Sequence, residues 1–171
     1  ISVIFNDEKM AEKNGLEAKH RREVIKGIFL LTPVISSTFA SFNNTFKELL
    51  NGDIGMLLID EAGQANLTNA LGALLRSKMA VVVGDPLQLE PVVTLPVSLN
   101  NAILSYCEAK EEFNLLKSSV QLRADKVQNI GTYIKGSGES IWVGSPLIVH
   151  RRCANPMFEI SNETTYDDMM I

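Results

Sequence analysis

Two short runs, "MLLI" (Met56–Ile59) and "MAVVV" (Met79–Val83), constrain this chain more than any other feature. Neither alternates apolar with polar, so neither has a face suited to water. Strands of that kind belong to a parallel sheet covered by helices on both sides. Between them, Leu67, Leu71, Leu74 and Leu75 recur at helical spacing. Strand, helix, strand is a βαβ unit, and its crossover is expected to be right-handed. A chain of 171 residues, 46% of them hydrophobic, can bury a core around such a unit. The expected fold class is therefore α/β with a parallel sheet.

The rest of the chain reads less regularly. Residues Asn6 to Lys26 are dense in charge with a thin apolar stripe. They read as a solvated helix or helical pair, interrupted near Asn14-Gly15, with Glu17 and Arg21 at favourable i,i+4 spacing. The basic group Lys19-His20-Arg21-Arg22 is interleaved with acids, which suits a solvated face better than a phosphate contact. From Gly27, "IFLLTPVISSTF" is strand-like, although Pro33 restricts it to an edge or to a start near that proline. Pro86, Pro91 and Pro96 mark an irregular loop, and Asn100 to Phe113 reads as a helix. "GSGES" (Gly136–Ser140) reads as a flexible turn, and "IWVGSPLIVH" as one or two further strands.

Both core strands end in acid. The first runs into Ile59-Asp60-Glu61 and the second into Val83-Gly84-Asp85. Ligands of open parallel sheets bind outside the carboxyl ends of the strands. A carboxylate held just beyond a buried strand suits a hard cation such as magnesium and a phosphate-bearing substrate. A lone acid there would more often cap the following helix. Two strands delivering acids to one rim favour the functional reading.

These residues carry a resemblance. "LLIDEAGQA" followed by "VVVGDPLQLEPV" resembles the Walker B motif and motif III of superfamily 1 helicases. The subgroup is the one typified by the RNA helicase of nonsense-mediated decay and its bacterial relatives. The acid pair is moderately specific, whereas "GDPLQLEP" on the next strand is far more so. "PLIVHRRCANPMFEISNETTYDD" is similar to that group's motif IV region, and "VISSTFASF" to its strand-to-loop segment that contacts nucleic-acid phosphates. The resemblance covers roughly residues 28 to 171.

It implies a RecA-like, three-layer P-loop NTPase domain using ATP and magnesium, with single-stranded DNA or RNA as partner. Asp60 would hold the magnesium through its water shell, and Glu61 would orient and deprotonate the attacking water. Gln88 would sense the γ-phosphate, and Arg152 would neutralise charge on the transferred phosphoryl. Asp85 would belong to the same nucleotide site. Such roles fit phosphoryl transfer, which is catalysed by positioning and electrostatics. Arg151 is adjacent, so the arginine could be displaced by one position. Ser36, Ser37 and Thr38 would either bond nucleic-acid phosphates or form a turn or helix cap through their hydroxyls. The implied domains are a charged helical segment (1–27), the C-terminal part of the first motor domain (28–145), and a junction leading into the second (146–171).

The sequence departs from the family in one decisive way. No G-x-x-x-x-G-K-[ST] string is present; "KGSGES" at Lys135 has its lysine at the wrong end and follows the acid motif. Without that loop there is no amide cradle for the β- and γ-phosphates, so the domain is expected to be incomplete. The chain opens on Ile1 and closes on Met169-Met170-Ile171, which suggests cuts inside a longer protein that supplies the flanking motor segments. His150, Arg151 and Cys153 stand where the family carries aromatic and methionine neighbours. The approach is extended by "SVQLRADKVQNIGTYIKGSGESIWVG". The alternative reading is a degenerate motor domain serving as a non-catalytic nucleic-acid-binding or scaffold module. A metal-dependent nuclease built on Asp60, Glu61 and Asp85 would need a further converging acid or histidine.

Composition excludes other classes. The net charge of −4 argues against a globally basic nucleic-acid binder, though not against a local groove. Two cysteines and two histidines are too few for a disulfide scaffold or a structural zinc site. No apolar run approaches the length of a membrane span and no signal segment opens the chain, so a soluble, intracellular protein is expected.

Overall fold

The computed structural model describes the backbone of residues 2–135 and 140–171, with side chains from residue 15 onward. The element order is α1 (Ser2–Leu31), α2 (Phe39–Thr45), β1 (Ile54–Ile59), α3 (Leu67–Arg76), β2 (Ser77–Val82), α4 (Val97–Tyr106), α5 (Val120–Val127), β3 (Gly131–Lys135), β4 (Ser140–Gly144) and α6 (Met157–Thr165). β1 and β2 form a two-stranded parallel sheet joined through α3, and β3 and β4 pair separately. The expected βαβ unit is therefore present in an α/β chain. The chain divides into two compact units, Ile1–Leu57 with Thr68–Val81, and Leu58–Leu67 with Val82–Ile171.

In the first unit, α1 is one helix of 30 residues. It continues through Asn14-Gly15, where an interruption is expected, and through Gly27 into Leu31. A helical glycine costs only about 1 kcal/mol relative to alanine, which tertiary contacts outweigh here. Ile25 and Phe29, one turn apart, pack on a cluster of Phe42, Phe46, Leu49 and Ala73. The Phe29 and Phe46 rings lie 6.0 Å apart, and those of Phe42 and Phe46 5.0 Å. These contacts overturn the strand expected from Gly27: "IFLL" completes a helix, and residues 32–38 carry no regular structure. Pro33 follows the helix end, where its missing N–H costs nothing.

Arg21 and Arg22 confirm the interleaving of charge but choose more distant partners. Arg21 Nε lies 3.4 Å from Glu48, in place of the expected Glu17 pair. Arg22 forms a two-point fork on Asp53, at 2.6 Å and 2.7 Å. The Asp53 carboxylate also accepts the Leu50 N–H at 2.8 Å. The Arg22 hydrogen bond, offset in part by burial, holds Asp53 down to about 2. A carboxyl whose folded value lies below its unfolded one contributes stability that is present above the unfolded value and lost as pH falls. The first unit should therefore lose stability as pH drops from about 4 towards 2, and Asp53→Asn should flatten that loss in urea titrations. An unchanged acid limb in the variant would contradict this.

α3 forms where the leucine spacing predicts, yet a different face is buried. Ala70 and Ala73 are fully buried, while Leu71 and Leu75 are about half exposed. Gly72 explains the choice: a side chain there would run into the Asn43 amide of α2. α3 thus turns its small-residue face to the aromatic cluster, anchored by Arg76 Nε donating to the Leu49 carbonyl at 3.1 Å. The sheet is correspondingly uncovered. Met56, Leu58, Met79, Val81 and Val83 are exposed, Leu58 by 66%, so strands expected to be buried on both faces are buried on neither throughout. Full three-layer architecture is not present among the described residues.

In the second unit, α4 begins at Val97 and ends at Tyr106, and the rest of the helix expected to Phe113 is reduced to a 3-10 turn at Glu111–Phe113. The proline loop is irregular, as expected. β3 and β4 pair antiparallel from Gly131↔Gly144 to Lys135↔Ser140, with the Tyr133 and Trp142 rings 5.2 Å apart. "IWVGSPLIVH" therefore supplies one strand. The turn expected at Gly136–Ser140 lies, up to residue 139, outside the described residues. No helix among the described residues is long and apolar enough to cross a membrane.

Candidate functional site

The carboxyl end of β1 is built by backbone as much as by side chains. Val83 N–H donates to the Ile59 carbonyl at 2.8 Å, and Ala62 N–H donates to the Val83 carbonyl at 2.9 Å. A regular parallel ladder would take the second bond from Glu61. Here one extra residue is accommodated, and Glu61 absorbs the change with φ +51°. That left-handed conformation costs a non-glycine residue roughly 1–2 kcal/mol, and such cost tends to persist where function requires it. Asp60 caps the turn, its Oδ1 accepting the Glu61 N–H at 2.9 Å. Both acids are exposed, and neither makes another side-chain hydrogen bond among the described residues.

The end of β2 presses against this turn. A Cβ on Gly63 would lie 2.6 Å from the Asp85 carbonyl oxygen. One on Gly84 would lie 2.7 Å from Gly63 N and 2.8 Å from Ala62 N. Both glycines are thus required by close approach of one backbone to the other. From below, α5 docks its first turn: Gln121 N–H donates to the Ala62 carbonyl at 3.1 Å and Val120 N–H to that of Ala65 at 3.0 Å. Ser119 caps α5 by accepting the Leu122 N–H.

Asp85 is the hub of the neighbouring loop. Its Oδ1 accepts the Leu87 N–H at 2.9 Å, and its Oδ2 accepts Gln88 Nε2 at 2.8 Å. Tyr166 donates its hydroxyl to the same Oδ2. Burial, then the hydrogen bond and charge of Asp85, push the Tyr166 phenol up to about 12, with Gln88 opposing. Sequence reasoning assigned Tyr166 no role; its only signal is the tyrosine that ends the motif IV likeness.

A second feature missed in the sequence lies beneath the turn. Gln121 and Asp125 are buried, and Gln121 Nε2 donates to both Asp125 oxygens at 3.0 and 3.1 Å. Asp125 also accepts the Gly144 N–H at 3.0 Å and forms no ion pair among the described residues. Burial raises its carboxyl above the ordinary range despite the Gly144 and Gln121 hydrogen bonds. A carboxyl raised by folding favours the folded state most when protonated, and that contribution fades as pH rises through its folded value. Wild-type protein should therefore gain stability relative to Asp125→Asn as pH falls from 7 to 4. Urea titrations at the two pH values check the sign, and the opposite trend would contradict it.

Arg151 and Arg152 are exposed and form no ion pair or hydrogen bond among the described residues. Nearby, His150 stacks on Phe158 at 4.9 Å and accepts the Cys153 N–H at 2.9 Å on Nε2. In the first unit, Ser36, Ser37 and Thr38 are all exposed. Thr38 caps α2 by accepting the Ser41 N–H at 3.3 Å, and Ser37 donates to the Thr38 carbonyl. A groove of about 700 Å³ lined by Val97, Asn101, Leu104 and Lys117 contains none of the predicted residues.

The donor set suits a magnesium ion of the phosphate-bound kind. No group of three or more His, Cys, Asp or Glu side chains is placed to hold a metal among the described residues. Asp60 offers an exposed carboxylate with one oxygen committed to its own turn. Magnesium in nucleotide sites takes one or two protein carboxylates, with water and the substrate's phosphates as its other ligands, and Asp60 would supply one such carboxylate.

Residues 6–95, more than half of the chain, match the family model described as AAA domain. The chain belongs to this family, a helicase-like group of P-loop ATPase domains that use nucleotide and usually magnesium. No curated protein and no solved structure matches the chain.

Proposed function

We propose that the chain carries the metal- and water-handling part of an ATP-dependent helicase or translocase of superfamily 1. Single-stranded DNA or RNA is the partner whose binding stimulates hydrolysis. The observation that carries the reading is Glu61, held in a costly left-handed conformation at the end of a parallel strand and locked there by the adjoining strand. In this reading Glu61 orients the attacking water and takes its proton, and Asp60 holds magnesium through water. When bound, magnesium would supply positive charge that neutralises charge developing on the transferred phosphoryl. Gln88 contacts the γ-phosphate, Asp85 sets the loop that carries Gln88, and Arg152 meets the transferred phosphoryl. Ser37 and Ser36, with Thr38 in its capping role, line the nucleic-acid side. Residues 28–145 belong to a first RecA-like domain and 146–171 lead towards a second, with 1–27 as a charged helical appendage.

The phosphate loop is the part that these 171 residues do not encode. The isolated chain should therefore show no ATP hydrolysis above background. Magnesium-dependent turnover by the isolated chain, abolished in Glu61→Gln, would overturn that division of labour. The same absence favours a second reading, a non-catalytic nucleic-acid-binding module. Hydrolysis by the complete open reading frame separates the two: a motor turns over ATP, whereas a scaffold binds nucleic acid without doing so.

A further inference from the structure

Asp85 receives donors from two distant parts of the sequence at one oxygen. Gln88 Nε2 reaches Oδ2 from the loop that Asp85 itself opens, at 2.8 Å. The Tyr166 hydroxyl reaches the same atom across 81 residues of sequence. Tyr166 directly follows α6, within the segment from Ile148 onward that carries Arg151 and Arg152. That segment is closed on itself: His150 N–H donates to the Ile171 carbonyl, Ile171 N–H to that of Ile148, and Asn162 exchanges hydrogen bonds with Met170. Among the described residues, its other polar tie to the rest of the unit is Lys135 to Asp167 at 3.7 Å, between side chains that are both mostly exposed. Exposed pairs of that kind contribute little. A charge-assisted hydrogen bond from a part-buried phenol is the stronger link.

We propose that Tyr166 is a positioning residue that sets the Gln88 amide through Asp85, and so couples the arginine-bearing segment to the phosphate-sensing loop. The functional half of this statement rests on the motor reading above; the coupling itself does not. Gln88 is exposed, and an exposed three-residue contact with Asp85 would not by itself hold a long side chain against its rotamer entropy. Tyr166 changes that balance by covering the carboxylate and fixing its orientation. In the resting arrangement Gln88 is committed to Asp85, so a phosphate must draw the amide away from that oxygen. Whatever shifts α6 alters how readily this happens, and Arg152 is the residue that such a shift would carry with it.

The test follows the side-chain amide of Gln88 by NMR in the 171-residue chain, reading solvent exchange of its two protons. Tyr166→Phe keeps the ring and removes only the hydroxyl. Asp85→Asn keeps the shape and replaces a carboxylate oxygen with a donor that neither Gln88 nor Tyr166 can use in the same way. Both variants should speed exchange of the Gln88 amide about tenfold or more while the backbone amides of Ile134 and Val143 keep their wild-type rates. Those strand amides distinguish release of the loop from general loosening of the fold. Should Tyr166→Phe unfold, Tyr166→Met, which also lacks the hydroxyl, is read in its place, because Asp85→Asn by itself reports only the direct contact with Gln88. Wild-type exchange at Gln88 in a folded variant of either kind would overturn the coupling. The motor reading is judged separately by ATP hydrolysis, so either idea can fail without the other.

Discussion

Replacing Glu61 by glutamine is expected to lower ATP turnover by the complete protein by about 10²–10⁴-fold, the usual contribution of a positioned general base. The amide is nearly isosteric and can still orient a water, but it cannot accept the proton. Glu61 is exposed and its backbone already occupies the left-handed region, so the exchange removes no packing and leaves the turn intact. Nucleotide binding should persist while the chemical step is lost, which single-turnover hydrolysis alongside a binding titration would reveal. Glu61→Gly should be equally inactive yet more stable by about 1 kcal/mol, because glycine adopts φ +51° without cost. A residue retained against its own conformational preference would thus separate stability from activity. An active Glu61→Gln protein would remove Glu61 from the catalytic role.

The second large effect concerns the two glycines. Gly63→Ala places a methyl 2.6 Å from the Asp85 carbonyl oxygen, and Gly84→Ala places one 2.7 Å from Gly63 N. Neither neighbour is the flexible end of a side chain; both are backbone, held by the Ala62–Val83 and Val83–Ile59 hydrogen bonds. Relief requires the strand ends to part, so each substitution should cost about 3 kcal/mol or more, at the upper end of overpacking effects. Gly15→Ala is the matched control, since a Cβ there meets nothing within 4 Å. It should be neutral or stabilising by up to about 1 kcal/mol, the helix-interior difference between glycine and alanine. Chemical denaturation of the three variants tests the contrast, and equal midpoints would contradict the close-approach account.

The βαβ unit was legible because a run such as "MAVVV" has no polar face and the leucine spacing between the runs matches a helix. The acids at the strand ends were legible for the same reason, since they follow directly from where each apolar run stops. The face buried by α3 was not legible. It depends on Gly72 admitting Asn43, a contact between residues 29 positions apart. Nor was the length of α1, because "IFLL" suits a strand or a helix, and only the Phe42–Phe46 cluster decides between them. Asp85 shows the same limit at the site. Its position at a strand end was readable, but its engagement by Leu87, Gln88 and Tyr166 was not. Tyr166 lies far from Asp85 in sequence, and a single tyrosine among acids gives no local signal of a long-range hydrogen bond. Gln121 and Asp125 were hidden differently: an i,i+4 amide–acid pair ordinarily marks a solvated helix face, and here it is buried.

In the proposed reading, the acid turn at Asp60-Glu61 serves a nucleic-acid-stimulated ATPase. The most direct measurement is magnesium-dependent ATP hydrolysis by the complete open reading frame, with and without single-stranded DNA and RNA. Turnover should rise several-fold with at least one polymer and disappear in Glu61→Gln. Turnover indifferent to both polymers, or undiminished by the substitution, would contradict that reading.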